Sequence, residues 1–245
     1  MPQHIVASYD AELKELAAMV MNMAGLVDRM LGDALTTMNE RNVELADRVI
    51  QADRAVDALQ HQIEERAVFT IAKRQPVASD LRQIISTVKV ASDLERVGDL
   101  SKNIAKRVIA TSTQTQPPSI ALGLAHMGER VREQLAAVIG AYQKQDEAKA
   151  LEVWSTDNEI DAMNTSLFRE LLTYMMEDPR NIGYCTHLLF CAKNLERIGD
   201  HATNIAETIH YLVTGEIMAQ DRPKGDMPSG VPTGAGGAGA TNMKA

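Results

Sequence analysis

Aromatic residues are scarce in this 245-residue chain, at 4%, with one tryptophan and three phenylalanines. That poverty disfavours sheets, which draw on aromatic and β-branched side chains. Positive charge is also short: the net charge is −8. An acidic chain gains nothing from counterion release on phosphates, so no nucleic acid is expected as a partner. The start, MPQHIVASYDAELKELAAMV, has no basic region ahead of an apolar one and does not read as a secretory signal. The longest apolar stretch, Leu16 to Val27, is interrupted by Asn22 and is shorter than the ~20 residues that span a bilayer. A cytoplasmic protein is predicted, one that touches a membrane only through partners. Cysteine is limited to Cys185 and Cys191. On one helix they stand roughly 9 Å apart along the axis, too far for a disulfide. They are predicted to be buried apolar thiols. His187 and Cys191 share the i, i+4 spacing of a soft-metal pair, but no further ligand of that kind stands near.

What is abundant is Ala, Leu, Met and Val in helical periodicity, from about Tyr9 to Val213. Few features break it. Asn39 to Asn42 is polar and turns, Gln75-Pro76 disfavours helix, Gln143 to Asp146 turns again, and Glu177-Asp178-Pro179 breaks again. TSTQTQPPS, Thr111 to Ser119, is the clearest linker. Six long helices of about 25 to 33 residues follow, three on each side of that linker, a length suited to antiparallel bundles. The halves are related. Met23 lies over Met127 and Asp57 over Asp161, at an offset of 104 residues. Beyond the proline breaks the offset is 101, with Glu95 over Glu196. An internal duplication of a three-helix unit explains this. The predicted fold class is therefore all-α: two tandem homologous three-helix bundles, residues 1–112 and 113–215. The remainder, 216–245, is rich in Gly, Pro and Ala and is predicted to be a disordered tail.

One phrase carries the chemistry. DLERVGDLSKNIAKRV (Asp93 to Val108) returns as NLERIGDHATNIAETI (Asn194 to Ile209). On a helix, Glu95, Asp99 and Asn103 share one face, continuing an apolar line. A second apolar face on the same helix implies burial. The preceding helix adds Asp53 and Asp57. In an antiparallel hairpin, residues equidistant from the turn are level. Asp53 and Asp99 are equidistant from Pro76, and so are Asp57 and Glu95. Around Asp178-Pro179 the same holds for Asp157 with Asp200 and Asp161 with Glu196. Four partly buried carboxylates repel one another and lose hydration. A bound cation resolves this, and oxygen donors without His or Cys suit Mg²⁺, Mn²⁺, Ca²⁺ or iron. A lone Asp-x-x-x-Asp is ordinarily a solvated helix face, whereas matched pairs in both repeats point to a site. Gly98 and Gly199 fit either close helix packing or room beside a metal. Lys102, Lys106 and Arg107 read as a basic group favourably placed near a helix C-terminus.

These phrases, with the Asp-x-x-x-Asp pairs and the opening YDAELKEL, resemble the PhoU family of phosphate-specific transport system accessory proteins, over about Ile5 to Val213. The resemblance implies two three-helix bundles, a homodimer, and negative regulation of the phosphate regulon. It implies a non-catalytic adaptor that links a phosphate ABC transporter, through its ATPase subunit, to a sensor histidine kinase. It implies one or more divalent or trivalent ions (iron, Mn, Mg or Zn) on Asp53, Asp57, Glu95 and Asp99, and on Asp157, Asp161, Glu196 and Asp200. Asn103 and Asn204 extend each line as further ligands. Two other readings compete. One is a carboxylate-bridged metal enzyme, for which the single Glu-x-x-His, Glu207–His210, is poor support. The other is a scaffold whose metals only join helices.

Overall fold

The chain runs through α1 (Pro2–Glu40), α2 (Val43–Arg74), α3 (Ala78–Ala110), α4 (Pro118–Lys144), α5 (Glu147–Ser155) and α6 (Asp157–Glu177), then a 3₁₀ turn (Pro179–Asn181) and α7 (Ile182–Thr214). The structure is a computed structural model that describes residues 2–114 and 117–218. The expected tail therefore lies outside the described residues, apart from 216–218.

Matched caps set the two reversals that start each hairpin. The Asn42 side chain accepts from the Leu45 amide at 2.9 Å, and the Asp146 side chain accepts from the Lys149 amide at 3.0 Å. Each satisfies a helix N–H that has no intrahelical partner. Just before them, Arg41 and Gln145 both adopt the left-handed region, at φ 58° and 51°, which ends the preceding helix. All four positions obey the 104-residue offset.

The six-helix expectation needs one correction. The predicted fifth helix is two, α5 of 9 residues and α6 of 21. Ser155 Oγ donates to Glu152 O at 2.8 Å, and Thr156 Oγ1 donates to Val153 O at 2.9 Å. Such hydroxyls compete with the helical ladder. The Thr156 amide closes a three-residue turn on Val153 O at 3.2 Å instead of an α-turn. In α2 the matching residues, Gln51 and Ala52, bring no such competitor, and the helix is continuous. The first helix also begins earlier than predicted and is 39 residues long.

Packing between the halves is as close as packing within them. Asp28 of α1 receives Arg132 of α4 at 3.1 Å, and Gly128 of α4 lies against Leu35 of α1, so these helices are antiparallel. A Cβ on Gly128 would run into the Leu35 Cδ2 methyl, so glycine permits this approach. Helices α3 and α7 are antiparallel too: Asp93 meets His201, and the Arg107 guanidinium stacks on the Phe190 ring at 4.0 Å. One continuous core results, with Leu16, Leu31, Ile63, Leu94, Leu124 and Leu171 fully buried. Each such side chain contributes roughly 1.5–3 kcal/mol. No helix among the described residues is long and apolar enough to cross a membrane.

Candidate metal centre

In the first half, α2 and α3 carry the carboxylates on facing sides. Val56 packs against Gly98, which brings Asp53 Oδ1 to 3.9 Å from where a glycine Cβ would stand. Asp53 is buried, and Asp57, Glu95 and Asp99 are half-buried. The Glu95 carboxyl is pushed above its ordinary range, first by burial and then by the charges of Asp99, Asp57 and Asp53, with Arg96 opposing. Asp99, Asp57 and Asp53 thus all stand near enough for their charges to act on Glu95.

A cation already stands among them. Lys102 Nζ donates to Asp53 Oδ2 and to Asp99 Oδ1, both at 2.5 Å. Burial works against this ammonium, yet the two carboxylates hold it above the usual lysine range. Arg96 lies outside them, 3.4 Å from Glu95 and 3.6 Å from Asp99. The expectation that Lys102, Lys106 and Arg107 form one basic group does not hold. Lys102 turns inward, Arg107 covers Phe190, and Lys106 is exposed. The missed signal was spacing: Lys102 follows Asp99 by three residues and stands almost level with Asp53.

The second half repeats the carboxylates in different company. Glu196 of α7 is buried, and Asp161 of α6 and Asp200 of α7 are half-buried. Asp157 begins α6, and its side chain lies outside the described residues. Glu196 Oε1 accepts from Lys193 Nζ at 2.7 Å, while its Oε2 is buried with no hydrogen-bond partner. Burial is the main cause that raises this carboxyl, Asp200 and Asp161 add to it, and Lys193 opposes. Position 203, where the first half has Lys102, is a threonine whose hydroxyl donates to Gly199 O at 3.1 Å. Gln134 of α4 reaches in beside it. Its amide nitrogen is 3.4 Å from Thr203 Oγ1, and its Oε1 is buried without a partner.

Of the two asparagines, Asn103 is half-buried on the line of Glu95 and Asp99. Asn204 instead directs its amide to Asp93 Oδ1 at 3.4 Å, where His201 Nδ1 also bonds at 2.9 Å. It ties α7 to α3 across the halves. Among the described residues, no three His, Cys, Asp or Glu side chains converge as they stand to hold an ion. The two sites therefore differ in fit. An orphaned, buried Glu196 oxygen beside two further carboxylates suits a hard cation. The first site has a lysine in the place such an ion needs.

Other candidates are absorbed by structure. Glu207 accepts from Trp154 Nε1 at 3.1 Å, and His210 Nδ1 meets Glu147 at 3.0 Å, so this pair fastens α5 to α7. Cys185 and Cys191 are free and buried, as predicted. A cleft of about 200 Å³ opens beside the α5–α6 break, next to Gln134 and Thr156. Its cations are spent internally: Arg130 pairs with Glu159 at 2.8 Å and Lys149 with Glu152 at 2.8 Å.

Known proteins place this geometry in context. Residues 20–108 and 124–209 each match the PhoU domain. The chain is 53% identical over 226 residues to the phosphate-specific transport system accessory protein PhoU homolog of Rhizobium meliloti (strain 1021), covering 92% of this chain and 95% of that one. It is 45% identical over 229 residues to the homolog of Caulobacter vibrioides (strain NA1000 / CB15N), covering 94% and 100%. The crystal structure of PhoU from Pseudomonas aeruginosa superposes with a TM-score of 0.82 at 37% identity, over 85% of this chain and 100% of that one. Two copies of the domain, the shared helical architecture and near full-length identity agree: this chain belongs to the PhoU family.

Proposed function

We propose that this chain is a regulatory accessory protein of phosphate transport. It holds the phosphate regulon off when phosphate is plentiful. It does so as a non-catalytic adaptor in the cytoplasm, joining the ATPase subunit of a phosphate ABC transporter to a sensor histidine kinase, and it works as a homodimer. The observation that carries the reading is near full-length identity to proteins named as accessory to that transport system. The molecule fits an adaptor. Its volume goes into long helices with one shared core, and the cations lining its cleft are neutralised by neighbouring acids.

The carboxylate sites serve this role as metal sites. An ion at Glu196, with Asp161, Asp200 and Asp157, neutralises charge that burial makes costly and ties α6 to α7. Asp53, Asp57, Glu95 and Asp99 offer the same donors across α2 and α3. Oxygen ligands favour hard ions such as Mg²⁺, Mn²⁺ or iron, with Zn²⁺ a weaker match.

The test is alkaline phosphatase activity in phosphate-replete cells of the source organism, with and without this gene. High activity in the deletion strain is expected, restored to low by the gene. Activity that stays low in the deletion strain would refute the regulatory reading.

A further inference from the structure

The two halves share four carboxylate positions, and the residues around those positions are what differ. At the first site the interior cation is supplied by the chain. Lys102, one fifth exposed, bridges α2 to α3 through Asp53 and Asp99 at 2.5 Å each. At the second site the matching residue is Thr203, fully buried and neutral. The cation there is Lys193, about half exposed, and it reaches one oxygen of Glu196 from the rim. The other Glu196 oxygen remains buried and unpartnered, as does Gln134 Oε1, contributed by α4 where the first half has Met30. Arg96 at the first site and Arg197 at the second are both exposed, so they do not account for the difference.

We propose that the two sites are unequal: Lys102 is a built-in cation that fills the first, so a hard divalent ion enters the second site first. This rests on reading the carboxylates as metal sites. An ion entering the first site must displace an ammonium from two charge-assisted hydrogen bonds, among the strongest a protein makes. An ion entering the second displaces none from Glu196 Oε2. The expected consequence is one tight equivalent per chain and a second one weaker by about tenfold or more.

The experiment is a Mn²⁺ titration of the full chain, stripped of metal, followed by calorimetry and by fluorescence. The chain has one tryptophan, Trp154, on α5 one helical turn before Asp157. Paramagnetic Mn²⁺ should quench it in the tight phase alone. Lys102→Thr, which copies position 203, should raise the tight equivalents from one to two. Glu196→Gln should abolish the tight phase and its quenching while the weak phase survives. Lys102→Gln checks the same point with a side chain closer in length, should the threonine variant fold poorly. Two equal equivalents in the wild type, or an unchanged isotherm in both Lys102 variants, would overturn the inference while leaving metal binding intact. Absence of Mn²⁺ binding in every variant would overturn the metal reading itself.

Discussion

Gly98 and Gly199 hold matched places in the repeated phrase, and alanine at each should act differently. A glycine inside a helix costs ~1 kcal/mol relative to alanine, partly through the freedom it gives the unfolded chain. At Gly98 a Cβ would meet Val56 Cγ1 at 3.4 Å and Asp53 Oδ1 at 3.9 Å. Those are ordinary contacts, nothing has to move, and Gly98→Ala keeps its gain of about 0.5–1 kcal/mol. At Gly199 the same atom would lie 3.0 Å from Ile160 Cδ1 and 3.2 Å from Gln134 Oε1. Ile160 can swing a terminal methyl, but Gln134 is also held to Thr203 at 3.4 Å. Overpacking therefore offsets the gain, and Gly199→Ala ends near or below zero. In a chain of this size about 1 kcal/mol moves Tm by roughly 2–4 °C. Melting of the metal-stripped protein by far-ultraviolet circular dichroism should place Gly98→Ala above wild type by about 1–4 °C, with Gly199→Ala level or lower. A Gly98→Ala variant that melts below wild type would refute the reasoning, because it would show a constraint at Gly98 that its neighbours do not impose.

Three further outcomes are expected. Glu12 is held at about 2, against an ordinary 4.5, first by Arg74 and then by Lys73, which clasp it between α1 and α2. A depressed carboxyl stabilises the fold above its unfolded pKa and loses that stability as pH falls through the folded one. Glu12→Gln should thus lower Tm at neutral pH, and the gap to wild type should close between pH 4.5 and about 2; a gap independent of pH would dismiss the pair. Glu95→Ala combined with Glu196→Ala should lower bound metal, read by elemental analysis, and weaken the bundles; undiminished metal would refute the site assignment. Burial pushes the Cys191 thiol up to about 12 and raises Cys185 as well. Ellman's reagent at mildly alkaline pH should find neither thiol in the folded chain and both after unfolding, and a fast reaction in the native state would contradict their placement.

Much of the fold was legible because its signals are local and repeated. The caps Asn42 and Asp146 and the left-handed Arg41 and Gln145 fall inside the two polar stretches singled out as turns. Counting from Pro76 put Asp53 level with Asp99, and in the structure both bond to one ammonium. What was illegible depends on side-chain direction or on competition between near-equal local options. Ser155 and Thr156 look acceptable in a helix, and only their turn back onto Glu152 and Val153 shows the break. Lys102 has the length to reach water or the carboxylates, and sequence alone does not say which. Asn204 lies on the expected line, yet a helix crossing that no periodicity reveals gives it Asp93 as a partner.

Duplication explains why the divergences gather where they do. A three-helix unit written twice arrives with identical carboxylate clusters, and each must be neutralised. The phrase itself is under that constraint, so Glu95 and Asp99 reappear as Glu196 and Asp200. Other positions around the carboxylates are freer, one of them within the phrase itself. There the first half has Lys102, Met30 and Ala52, and the second has Thr203, Gln134 and Thr156. The first set brings an ammonium, an apolar side chain and an unbroken helix. The second brings two uncharged oxygens, an amide oxygen without a partner, and a helix that restarts at Asp157. In the first half α2 is unbroken and is joined to α3 through Lys102. The half whose helix breaks is thus also the half with an unmet buried carboxylate oxygen, so both divergences fall around the same cluster.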